Sequence, residues 1–404
     1  MIIRITDMAL QAAVDLSIRF DVDHQLPDKA IDLVDKAGAR TRIPLLSGWI
    51  EGDKVKPLGD TNGVDGRREV TEDTIAQVLS EKMGLPLEII TGHIEGMEQS
   101  RLFGIESFLN KRIIGQDEAI RLVCQRLLMS HTGLAKRRGP LAVFLFLGPT
   151  GVGKTELARS LAEFLFGSDL QLTRFDMSEF IEEHSVAKLV GSPPGYVGHE
   201  EEGQLTGRLR TKPYSVVLFD EVEKAHQRVF DLFLQLFDEG RLTDAKGRTA
   251  DARNAIFIMT SNIAVGKHSN KIGFGNQDNM DLKATALQEV KKYFRTEFVN
   301  RINEIVIFRS LNEEHVKQIL RPMVAEICDN IKTKHNVMLR IGEEVEQFVA
   351  QAGYSQEYGV RELRRAVEQL IQIPLSNLIL SGKFEKCINW QVVCGSGGLS
   401  IIPL

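Results

Sequence analysis

Lys154 and Thr155 close the stretch GPTGVGKT (148–155), which follows the pattern G-x-x-x-x-G-K-[ST]. Each fixed position has a chemical reason. Gly148, Gly151 and Gly153 let backbone N–H groups curl around phosphate oxygens, and Pro149, Thr150 and Val152 complete the loop. Lys154 brings a positive charge to the β- and γ-phosphates, and Thr155 offers a hydroxyl to Mg2+. A helix starting near residue 154 points its positive end at the anion. Further along, VVLFDE (216–221) is an apolar run ending in two acids. Such a strand delivers carboxylates to the carboxyl end of a sheet, where ligands bind. Asp220 would hold Mg2+ through water, and Glu221 would polarise an attacking water as general base. Guanine-reading motifs of the NKxD type are missing, so the combination predicts ATP hydrolysis.

These residues need a scaffold, and the patterning supplies one. LAVFLFLG (141–148) is a continuous apolar run ending in glycine, as a buried parallel strand would be. ELARSLAEFL follows, with Leu157, Leu161, Phe164 and Leu165 at helical spacing. Further short apolar runs occur at 172–176, 215–221, 255–262 and 304–308, separated by helical or loop segments. That alternation predicts an α/β domain with a parallel sheet flanked by helices. After about residue 310 helices dominate to about 380, and the end of the chain reads as a strand or two plus a tail. Residues 6–40 read as helices, with Pro27 at a first helical position and Gly38 as a stop. Residues 44–68 are rich in Gly and Asp and read as a linker or loop, and 71–135 return to helical patterning.

Composition bounds the function. The chain has 404 residues, 43% hydrophobic and 26% charged, with a net charge of −5. That length predicts two or three domains, and the mild charge speaks against a nucleic-acid scaffold. Cys124, Cys328, Cys387 and Cys394 lie far apart without CxxC spacing, so buried or free thiols are expected rather than a disulfide framework or a zinc site. No run of apolar residues is long enough to span a membrane, and MIIRITDMAL lacks the core of a signal peptide. A cytoplasmic protein is expected.

Four stretches together, GPTGVGKTELARSLAEFLF, RFDMSEFIEEHSVAKLVGSPPGYVG, PYSVVLFDEVEKAH and FRTEFVNRINEIVIF, resemble the second ATPase module of the Clp family of AAA+ unfoldases, the ClpA/ClpB/ClpC group. The similarity covers nearly all of residues 72–390, and residues 1–43 resemble the end of the small domain of that family's first module. The resemblance implies a four-part chain: a helical remnant (1–43), a linker (44–71), an AAA+ large domain with a helical lead-in (72–309) and a mainly helical C-terminal lid (310–404). It also implies an ATP-dependent protein unfoldase that acts as a hexameric ring on unfolded or misfolded polypeptides. Asn262 matches sensor 1, Arg301 the arginine finger that reaches a neighbouring subunit's ATP, and Arg361 sensor 2. RIIGQDEA (112–119) matches the segment that packs on adenine, with Ile113 and Ile114 as its apolar residues. Arginines among other charges otherwise read as a solvated face.

Departures from the family pattern are also visible. The sequence holds no first P-loop, no substrate domain and no long coiled coil between residues 43 and 72; the last absence leans towards ClpA- or ClpC-like proteins. FRTEF lacks the usual proline, and Asn303 stands where an Asp is common. A truncated product and a natural one-module form both fit.

Loops carry the remaining expectations. Tyr196 and Val197 sit between Gly195 and Gly198 in GSPPGYVGHE. Locally this reads as a loop folded onto its own domain; the resemblance makes it a pore loop that grips polypeptide by non-directional apolar contact. Ile272, Gly273 and Phe274 fit the [LIV]-G-[FL] tripeptide by which Clp ATPases dock on a ClpP-type peptidase, while a Phe folded back onto the domain is the plainer reading. Three activities stay open: an unfoldase feeding a peptidase, a peptidase-independent disaggregase, and a nucleotide-binding module that does not turn over ATP alone. TDAKGRTADARN (243–254) reads either as a second pore-facing loop or as a solvated hairpin.

Overall fold

A computed structural model describes residues 3–21, 25–46, 69–85, 87–91, 102–131, 138–192, 202–263, 279–354, 359–382, 384, 389–395 and 398–404. At the amino end, strands β1 (Arg4–Ile5) and β2 (Glu69–Val70) pair in parallel. Thr6 caps the helix Asp7–Phe20 by accepting from the Ala9 N–H, and its hydroxyl donates to the Val70 carbonyl. The next helix, Asp28–Leu46, runs through Gly38, where the sequence predicted a stop. A mid-helix glycine costs only about 1 kcal/mol, and the buried Leu33 and Ala37 anchor the turn that leads into it. Glu69–Val70, expected in the linker, is therefore a strand. Helix Glu72–Met83 packs its Ile75 and Leu79 into the same cluster as Ala9, Ala13 and Leu33. Lys82 reinforces the join, bonding Asp21 at 2.7 Å and Asp32 at 3.0 Å.

All five apolar runs become strands of one parallel sheet. They are β3 (Ala142–Leu147), β4 (Leu172–Asp176), β5 (Val216–Asp220), β8 (Ile256–Ser261) and β9 (Glu304–Ile307), in the order β4-β5-β8-β3-β9. Burial on both faces explains why β3 is uninterruptedly apolar. Ala142, Phe144 and Phe146 face a cluster that includes Leu157, Leu161 and Ile120, while Val143, Leu145 and Leu147 face one that includes Phe233, Leu236 and Val290. A short antiparallel hairpin, β6 (Arg241–Thr243) and β7 (Thr249–Asp251), precedes β8. Its turn is closed by Asp244, which accepts from the N–H groups of Lys246 and Arg248.

Residues beyond β9 form a separate core of Leu320, Val349, Leu363, Ile371, Phe384 and Val392. Helices Glu313–His335, Glu343–Gly353, Val360–Val367 and Ile373–Leu380 surround it. The helical expectation missed one strand here, β10 (Met338–Ile341), which pairs in parallel with β11 (Asn389–Gly395), itself antiparallel to β12 (Gly398–Pro403). β10 buries Leu339 while Met338 and Arg340 face outward, so a four-residue strand shows too little alternation to register in the sequence.

Candidate functional site

Parallel alignment brings the carboxyl ends of β3, β5 and β8 side by side, and the phosphate-loop residues, the acids and Asn262 sit there. Gly148, Gly151 and Gly153 all have positive φ (152°, 76° and 106°). The first of them also approaches β9 closely: a Cβ there would lie 2.7 Å from the Phe308 carbonyl oxygen. The loop ends where helix Lys154–Phe166 begins, so its first N–H groups face the loop. Lys154 is only 8% exposed. Its Nζ donates to the Gly148 carbonyl and, at 2.8 Å, to Asn262 Oδ1. Burial pushes the Lys154 ammonium down to about 8; the carboxylates of Asp220, Glu223 and Glu221 pull it up, and the Arg361 charge adds to the fall. Asn262 thus touches the cation directly, while the charges of Asp220, Glu221, Glu223 and Arg361 act on it through space.

Asp220 ends β5. Its Oδ2 pairs with Arg174 of the neighbouring strand β4 at 2.5 Å, and its Oδ1 accepts from the Thr260 hydroxyl. Glu221 follows in the left-handed conformation (φ 55°, ψ 48°), an uncommon state for a side-chain-bearing residue. Its carboxylate meets Lys224 Nζ at 2.5 Å. Mg2+ characteristically takes one or two protein donors and completes its shell with phosphate oxygens and water. The half-buried Thr155 hydroxyl and the Asp220 carboxylate are donors of that kind.

The lid reaches the same loop. Val360 N–H donates to the Gly151 carbonyl at 3.0 Å. Gly359 (φ 53°) comes so near that a Cβ would lie 2.7 Å from that oxygen, and Arg361 is the next residue of the helix. On the other flank Ile113 is buried, its Cγ2 3.5 Å from the Cβ position of Gly153, and Ile114 is half-buried. Arg301 is not gathered into the cradle. It is 40% exposed and ion-paired with Asp238 of helix Gln227–Glu239 at 2.5 Å. Tyr196 with its neighbours 195–198, and Ile272, Gly273 and Phe274, lie outside the described residues.

Sequence reasoning passed over several residues that hold this geometry. Gln116 donates to the carbonyls of Val152 (3.3 Å) and Arg309 (2.9 Å) and accepts from the Arg309 N–H (3.0 Å), tying the phosphate loop to the start of the lid. Thr260, Glu223, Arg174 and Gly359 were likewise unremarked. Their signals were slight: a polar residue closing an apolar strand, an acid within a turn, a charge within a strand, a glycine opening a helix.

With the site in view, similarity to known proteins is specific. Residues 139–305 match the AAA domain of the Cdc48 subfamily, residues 311–392 the C-terminal D2-small domain of ClpB protein, and residues 2–53 an AAA lid domain. The negative regulator of genetic competence ClpC/MecB of Bacillus subtilis is 41% identical, over 95% of this chain and 52% of its own length. Chaperone protein ClpB of Oceanobacillus iheyensis is 40% identical, over 95% of this chain and 52% of its own. The chain thus spans about half the length of these curated relatives. Among solved structures, the closed-state cryo-EM reconstruction of Hsp104 with ATPyS and FITC casein matches with a TM-score of 0.75 and 34% identity, covering 100% of this chain and 65% of that one.

Proposed function

Since the chain belongs to the Clp family of AAA+ ATPases, with its likeness to the second ATPase module, we propose that it hydrolyses ATP with Mg2+ and uses the energy to thread polypeptides through the pore of a ring. The observation that carries this is the convergence of Lys154, Asp220, Glu221 and Asn262 at the carboxyl ends of the inner strands, with Arg361 next to the lid residues that meet the phosphate loop. Lys154 and the glycine-rich loop bind the phosphates. Bound Mg2+, held by Thr155 and Asp220, would offset phosphate charge. Glu221 takes up the proton of the attacking water, Asn262 orients that water or the γ-phosphate, and Arg361 senses the γ-phosphate. Ile113 and Ile114 give the adenine an apolar seat. Arg301, exposed and ion-paired with Asp238, suits a group that acts on the next subunit's nucleotide, which calls for an oligomeric ring, a hexamer in this reading.

Proposed with this reading are the division at residues 43, 71 and 309, a cytoplasmic setting, and Gly195, Tyr196, Val197 and Gly198 as the gripping loop. No described helix is long and apolar enough to cross a membrane. The decisive test is turnover by the purified protein. Glu221→Gln should retain ATP binding and lower kcat by about 10²–10⁴-fold; unchanged hydrolysis in that variant removes Glu221 from the chemistry. Docking of Ile272, Gly273 and Phe274 on a ClpP-type peptidase is the finer form of the reading. Phe274→Ala should abolish peptidase-coupled degradation while sparing ATP hydrolysis; if degradation persists, docking through this tripeptide is wrong.

A further inference from the structure

We propose that Thr260 is the positioning residue that sets the Mg2+ ligand Asp220 and the general base Glu221 relative to one another. Thr260 is 1% exposed, at the end of a strand whose preceding residues Ile256, Phe257, Ile258 and Met259 are all buried and apolar. A hydroxyl in such a place has one proton to donate and two lone pairs. Here it donates to Asp220 Oδ1 and accepts from the Glu221 N–H at 3.2 Å. One oxygen therefore holds the side chain of one acid and the backbone of the next.

The backbone bond matters because of the conformation it secures. Glu221 sits at φ 55°, ψ 48°, and a residue with a side chain remains there only where its surroundings over-determine it. Two bonds do so: the Glu221 N–H goes to Thr260, and the Glu221 carbonyl accepts from the Lys224 N–H at 2.9 Å. Turned into the extended region, residue 221 would aim its carboxylate elsewhere. A second stitch joins the same two segments. Glu223 Oε1 accepts from the Asn262 N–H at 3.1 Å, while Glu223 Oε2 is buried without a hydrogen-bond partner. The end of β8 is thus bonded to residues 220–223 on both sides of Ser261, and the Thr260 hydroxyl is the contact that reaches both acids.

This inference rests on the roles proposed for Asp220 and Glu221. The experiment compares Thr260→Val, which keeps the shape and removes the hydroxyl, with Thr260→Ser, which keeps the hydroxyl, and with Glu221→Gln. Thr260→Val should lower kcat for ATP by about tenfold or more, with KM and the Kd for Mg2+-free ADP within about twofold, and Thr260→Ser should stay within about threefold of the parent. In nucleotide-free protein, amide exchange at Glu221 should quicken about tenfold in Thr260→Val and not in Thr260→Ser. Parental kcat in Thr260→Val, a Thr260→Ser variant as slow as Thr260→Val, or ADP affinity lost in proportion to kcat would each overturn the proposal. If Thr260→Val does not fold, Thr260→Ala against Thr260→Ser makes the same comparison. Glu221→Gln separates the two levels. Full hydrolysis in that variant defeats the role of Glu221 itself, whereas silence there with an active Thr260→Val defeats only the positioning.

Discussion

Lys154 shows how one buried cation can organise a site. Removing an ammonium from water is costly, and here burial is only partly offset by three carboxylates. Its hydrogen bonds to the Gly148 carbonyl and Asn262 Oδ1 tie that ammonium to both the phosphate loop and the end of β8. Arg301 is the opposite case. Its partner is Asp238 on the surface, and exposed pairs of that kind contribute little to stability. Arg301→Ala should therefore leave folding and ATP affinity nearly unchanged and yet lower kcat by about 10³-fold or more if it acts as a finger. Steady-state ATPase beside equilibrium nucleotide binding measures this. Hydrolysis by Arg301→Ala at the parental rate would remove it from the chemistry.

Elements set what the residues can do. The sequence of hairpin β6–β7 fits a pore-facing loop or a solvated hairpin, and its turn is ordered by one carboxylate. Burial alone would raise the Asp244 pKa, but N–H bonds from Arg248 and Lys246 and the Arg248 guanidinium outweigh it and hold the carboxyl below the ordinary aspartate range. A depressed carboxylate stabilises the folded state above its unfolded pKa, and that stabilisation is lost as pH falls through the folded pKa. Asp244→Asn should therefore lower the melting temperature at pH 7, and the gap from the parent should close as pH is taken below about 4. A gap that stays constant with pH would show that the charge of Asp244 is not what orders the turn. The two flanks of the phosphate loop make a similar point. The Gln116 side chain on one side and the Val360 backbone N–H on the other hold adjacent carbonyls, Val152 and Gly151, by bonds that no composition argument would reveal.

At the scale of the whole molecule the proposed activity demands a ring, because Arg301 and the cradle do not meet within one chain. ATPase activity per subunit should then rise with protein concentration in step with assembly measured by sedimentation. Tyr196→Ala tests the far end of the machine. It should spare ATP hydrolysis and abolish unfolding of a tagged substrate; threading that survives would return GSPPGYVGHE to the plainer reading of a loop folded on its own domain.

The chemistry was legible in the sequence wherever it depends on short-range order. Lys154 and Thr155 follow a glycine loop, Asp220 and Glu221 end an apolar run, and β3 is apolar throughout because it is covered on both faces of the sheet. Such features are written in consecutive residues, since a loop that wraps phosphate and a strand buried on two sides each constrain every position they contain. What tertiary structure alone decided is which distant residues meet. The order β4-β5-β8-β3-β9 places Thr260 beside Asp220, Gln116 against Val152 and Arg309, and Gly359 against Gly151, at separations where residue type carries almost no signal. A threonine ending a strand or a glycine opening a helix is commonplace in sequence. It acquires a role only when packing brings particular partners within reach.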